Sequence, residues 1–71
     1  MKLQYYPETD SLYIELWPSA AAHTREVTDG VNADLDEAGQ LIGLDIDHAS
    51  AKLDLSTIEA VALPIRSLRA A

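Results

Sequence analysis

Lys2-Leu3-Gln4-Tyr5-Tyr6-Pro7-Glu8-Thr9-Asp10-Ser11-Leu12-Tyr13-Ile14-Glu15-Leu16-Trp17 is the stretch that decides the fold. Leu3 and Tyr5 alternate with Lys2, Gln4 and Tyr6, and beyond Pro7–Asp10, Leu12, Ile14 and Leu16 alternate with Tyr13, Glu15 and Trp17. Period-two alternation on both sides of a Pro/Asp turn predicts a β-hairpin. A loop at 7–10 sets Tyr6 opposite Ser11, Tyr5 opposite Leu12 and Leu3 opposite Ile14. It also sets Lys2 opposite Glu15, a favourable cross-strand charge pair. A slip of one residue would turn one strand's apolar set to the wrong face, so this register is well specified.

Downstream the pattern repeats. Pro18 ends the strand because it has no amide hydrogen to give a ladder. His23 to Thr28 forms a weaker strand, and Asp29-Gly30 marks a turn. Val31, Ala33 and Leu35 then alternate with Asn32, Asp34 and Asp36, while Ile42, Leu44 and Ile46 alternate with Leu41, Gly43, Asp45 and Asp47. Glu37-Ala38-Gly39-Gln40 offers Gly39 for the left-handed position of a type I turn with a G1 bulge. The expected pairs are Leu35 with Ile42, Ala33 with Leu44 and Val31 with Ile46. Asp47 is positioned to cap a short helix over His48 to Leu53. Ser56-Thr57-Ile58-Glu59 fits a capping box, yet a strand over Ile58 to Leu63 fits nearly as well. Together these features predict one α+β domain over residues 1–71, a mainly antiparallel, meander-like sheet of about five strands with one short helix. The C-terminal element stays open, and residues 64–71 read as a flexible tail.

Composition narrows the function. Twelve Asp and Glu against five Lys and Arg give a formal charge of −7, which argues against direct nucleic-acid binding because phosphates would meet like charge. The absence of Cys removes disulfides, thiolate zinc sites and cysteine nucleophiles. No apolar stretch approaches the ~20 residues that span a bilayer, and the N-terminus lacks a signal-peptide core, so a cytoplasmic protein without a membrane partner is expected. A chain this short buries only ~60% of its unfolded surface, which makes a homodimer more expected than usual.

Tyr6-Pro7-Glu8-Thr9-Asp10-Ser11-Leu12-Tyr13-Ile14-Glu15-Leu16 resembles the opening signature of a small bacterial family catalogued as domain of unknown function 2283, whose members read roughly Tyr-Asp-Pro-Glu-Ala-Asp-Ala-Leu-Tyr-Ile. Gly30-Val31, Asp34, Asp36, Gly39, Gly43-Leu44-Asp45-Ile46 and Ala49-Ser50 continue the match. The resemblance covers roughly residues 3 to 53. The chain departs from the pattern in having no Asp before Pro7, in Asp45 where Glu is usual, and in His48 before Ala-Ser. The family brings no established activity; some members lie beside genes for small ribonuclease-like toxins, which implies an antitoxin-like or other partner-binding role.

Candidate chemistry concentrates in two surfaces. From Glu26 to Ala51 there are seven acidic residues and no Lys or Arg. Asp34, Asp36, Asp45 and Asp47 share the polar face of the second hairpin. Such a face can be merely solvated, can protect against edge-to-edge aggregation, or can dock a basic protein partner. A Mg²⁺ or Ca²⁺ site is disfavoured, since Asp residues two apart on a strand stand ~6.5–7 Å apart and no loop wraps an ion. Tyr6, Tyr13 and Trp17 lie opposite the aliphatic face of the first hairpin, either as partner anchors or as a second core covered by Leu53, Leu55, Ile58, Val61 and Leu63. Arg66 and Arg69, with Ile65 and Leu68, form either a frayed end or a short arm that orders on a partner. As a general base His48 would need a nucleophile, and the nearby Ser50 reads instead as a helix-end hydroxyl; no cofactor motif is present. The preferred function is a non-enzymatic module that binds a basic partner, of which an antitoxin-like role is one form. The alternatives are a self-associating homodimeric structural protein and, remotely, a carboxylate-based metal-dependent hydrolase.

Overall fold

A computed structural model describes residues 1–70. Five strands form one antiparallel sheet: β1 Lys2–Tyr6, β2 Ser11–Glu15, β3 His23–Thr28, β4 Val31–Leu35 and β5 Leu41–Ile46. A single-turn helix, α1 Ala49–Lys52, follows. The chain is therefore mostly β, and the α+β label fits it loosely. Spatial order is β1-β2-β5-β4-β3, which departs from a continuous meander. The strands β3, β4 and β5 run as a meander, and β2 lies beside β5 after the long connection 16–22, a Greek-key arrangement. Pro18, just beyond the end of β2, ends the pairing there and lets the chain cross to the far edge.

The β1–β2 register is the expected one throughout, from Lys2 opposite Glu15 to Tyr6 opposite Ser11. Between β4 and β5, Val31 faces Ile46 and Ala33 faces Leu44 as expected, but Leu35 faces Leu41 instead of Ile42. The turn explains the difference. Gly39 sits at φ 81°, its amide donates to the Asp36 carbonyl, and the Asp36 amide donates to the Gln40 carbonyl. That closes the loop one residue tighter than the alternation implied, and Ile42 is left as the extra residue of a bulge. The bulge turns the Ile42 carbonyl toward β2, where it accepts from the Leu16 amide (2.8 Å) and the Trp17 amide (3.1 Å).

The core is small. Leu12, Ile46 and Ala49 form its centre, with Ile14 and Val31 partly buried against them; Ala33 and Ile42 are buried as well. α1 is thus a one-turn lid that seats Ala49 on the apolar face of the sheet. Its N-cap is His48, at φ 51°, and no side chain of its own segment caps it. Asp47 does not fill the capping role; its carboxylate instead lies 3.5 Å from the Ser11 hydroxyl. Neither the capping-box helix nor the alternative strand forms beyond Leu53, and residues 54–70 hold no helix or strand. Ser56 donates its amide (3.0 Å) and hydroxyl to the Asp54 carboxylate, a local turn that replaces the helix start. No helix among the described residues is long and apolar enough to cross a membrane.

Candidate functional site

Pairing of β2 with β5 assembles the polar face. Strand alternation places Lys2, Gln4 and Tyr6 of β1, Ser11, Tyr13 and Glu15 of β2, Gly43 and Asp45 of β5, Asn32 and Asp34 of β4, and Thr24 and Glu26 of β3 on the same side. Tyr13 directly faces Asp45, while its ring reaches diagonally across β5 so that its hydroxyl donates to the Asp34 carboxylate at 2.9 Å. The Thr24 hydroxyl donates to the other oxygen of Asp34 at 2.8 Å. Gly43 is what lets the ring lie there, because a Cβ at this position would come within 2.7 Å of Tyr13 Cζ. One bridge therefore crosses four strands, from β2 over β5 to β4 and β3.

Charge on this face is strained. Partial burial, and then the charges of Asp47 and Asp34, push the Asp45 carboxyl above the usual carboxylate range. Burial and the hydrogen bond to Asp34 push the Tyr13 phenol up to about 12. Asp36 belongs to the turn rather than to the open face, since its carboxylate accepts the amides of Ala38 and Gln40, each at 2.9 Å. Asp34, Asp45 and Asp47 are thus brought together, and Asp36 is engaged locally. Tyr6 and Trp17 stay exposed, Trp17 at 68%. The tail does not cover these aromatics: Leu53, Leu55 and Ile58 lie along the other face of the sheet, beside Leu3, Tyr5 and Ile14. Arg66 and Arg69 are exposed in the irregular C-terminal segment.

A second constellation was not read from the sequence. Asp10, at φ 52°, accepts the Tyr5 hydroxyl at 2.7 Å, the Ser50 hydroxyl at 2.7 Å and the Ser50 amide at 3.1 Å, and its carbonyl accepts the Ala49 amide at 2.9 Å. The hairpin turn thereby caps a helix 40 residues later. The hydrogen bonds from Ser50 and then Tyr5 hold the Asp10 carboxyl below its usual range, and the bond to Asp10 raises the Tyr5 phenol. A carboxylate held low is a weak base, so Asp10 fixes Ser50 in place rather than activating it. The available signal was the pairing of Pro7-Glu8-Thr9-Asp10 with Ala49-Ser50, the two ends of the resemblance, which meet in space here. Among the described residues no group of three or more His, Cys, Asp or Glu is arranged to hold a metal ion.

An open groove of about 780 Å³ runs along the apolar face between Leu3, Tyr5 and Ile14 on the strands and Leu53, Leu55 and Ile58 of the tail. No curated protein and no solved structure matches the chain. A family model does match, over residues 2–50, a span that holds all five strands, the Asp10 turn and the first residues of α1. The chain belongs to the family described as Protein of unknown function (DUF2283).

Proposed function

We propose that the chain is a non-enzymatic binding module that engages a basic protein through the polar face of its sheet. The carrying observation is the crowding of Asp34, Asp45 and Asp47, whose charges add to partial burial in lifting the Asp45 carboxyl above its usual range. Strand register puts only one Lys or Arg on that face, Lys2 at its edge. A lysine or arginine brought by a partner would relieve this repulsion, and the surrounding negative field would speed encounter. Tyr6 at the end of β1 and Trp17 two residues beyond β2, both exposed, supply the amphipathic side chains that anchor such contacts. Small nucleases are basic because they hold phosphates, so an antitoxin-like role is one form of this reading.

Capture from the native host with the full chain tests it, followed by calorimetry on the purified partner. The expected partner is a basic protein whose affinity falls as salt rises and falls again in Asp45→Asn/Asp47→Asn. Binding that is insensitive to salt and unchanged in the double variant would overturn it. Self-association is favoured by a different observation, the half-covered apolar face on the reverse of the sheet.

A further inference from the structure

We infer that the apolar face of the sheet is the contact surface of a homodimer, in which two copies pack groove to groove. A compact folded chain of 7.7 kDa exposes about 4,300 Å², whereas this chain exposes 5897 Å². The excess, roughly 1,600 Å², is about twice what one partner buries in a standard interface. Part of it belongs to residues 54–70, which are exposed throughout and form no helix or strand, and part to apolar side chains on one groove: Leu3 is 47% exposed, Tyr5 43% and Ile58 76%.

The occupant follows from charge and from need. At a formal charge of −7, two copies repel through their polar faces. The strand positions lining the groove (Leu3, Tyr5, Leu12 and Ile14) carry no acid, and Asp54 lies in the tail at one side. The apolar face is therefore where like-charged copies can meet while their carboxylates point away from one another. Five small or medium buried side chains make a core too slight for a chain of this length. Burial needed for folding must be supplied at all times, and a second copy is always present at matching concentration. A twofold axis lets one apolar patch complete itself. The dimer then presents two acidic faces outward, so the surface proposed for a basic partner stays free, and the two proposals stand or fall separately.

Sedimentation equilibrium of the full chain should give twice 7.7 kDa. Leu3→Glu and Ile58→Glu, at positions 47% and 76% exposed in the single chain, should weaken association at least about tenfold while circular dichroism keeps its β signature. Glu15→Gln on the polar face should leave the dimer intact. A monomer at every concentration up to millimolar, or full-strength dimers in both charged variants, would overturn the inference. Should the variants unfold, isotope-filtered NOEs on the unaltered chain decide. Cross-copy contacts to the methyls of Leu3, Ile14 and Leu55 support it; cross-copy contacts confined to Tyr6 and Trp17 refute it.

Discussion

Tyr13 and Gly43 act as one unit, and the cost of disturbing either is set by the other. Gly43→Ala places a methyl against the phenol ring, which must swing away and release Asp34. Overpacking of this kind costs about 1–3 kcal/mol, read as a lowered denaturant midpoint. Most of that loss should vanish when Tyr13→Ala is already present, so a double-mutant cycle shows strong coupling. The phenol also gives the fold an alkaline limit. With its folded pKa raised from 10.0 to about 12, its stabilising contribution is complete below pH 10 and is lost as pH climbs toward 12; tyrosinate absorbance and unfolding should both report this. Asp45 has the opposite usefulness. Its carboxyl is raised, so ionisation costs stability as pH rises through the carboxylate range, and Asp45→Asn should raise the melting temperature at pH 7 while weakening a basic partner's binding. An equal melting temperature would identify the face as simply solvated. The alternation of Tyr13 and of Asp34 was plain in the sequence, but their contact was not, because it depends on β2 lying beside β5, a pairing between distant segments that no local pattern states.

α1 illustrates how an element can exist without the local signals for it. Four residues are far too few to hold a helix alone, and its cap comes from Asp10 in the first turn. Asp10→Ala should therefore loosen α1 and expose Ala49, with faster amide exchange at Ser50. Asp10→Asn should lose less, since Asn tolerates the left-handed backbone at φ 52° and still accepts a hydrogen bond. The pH dependence has a definite sign. A carboxyl depressed in the fold contributes stability above its unfolded value and loses it as pH falls through the lower folded one, so α1 should release in acid before the sheet does. Ser56-Thr57-Ile58-Glu59 shows the converse. Its capping signature was good, yet Ile58 lies at the rim of the groove and stays 76% exposed, which is too little burial to hold a helix, and none forms. The hairpins were legible because a strand's two faces are written into every second residue. The bulge at Ile42 was not, since one residue more or less in a Gly-containing loop leaves the alternation on each strand unchanged.

At the scale of the molecule, a sheet with acids on one side and a half-covered apolar groove on the other is balanced between two opposing forces. In the dimer proposed above, burial draws copies together through the groove, while a formal charge of −7 on each resists any approach. Each leaves its own mark on stability. If folding is completed by a second copy, the melting temperature rises with protein concentration, because the folded dimer is favoured by mass action over two unfolded chains. Added salt raises it further by screening repulsion between copies, and the two effects compound. In Leu3→Glu the concentration dependence should disappear while the salt effect within one chain persists. In Asp45→Asn the salt effect should shrink and the concentration dependence stay. Differential scanning calorimetry over a wide range of concentration, at low and high salt, separates the unaltered chain from both variants. A melting temperature indifferent to concentration would mean that five buried side chains and one borrowed cap are enough to hold this sheet alone.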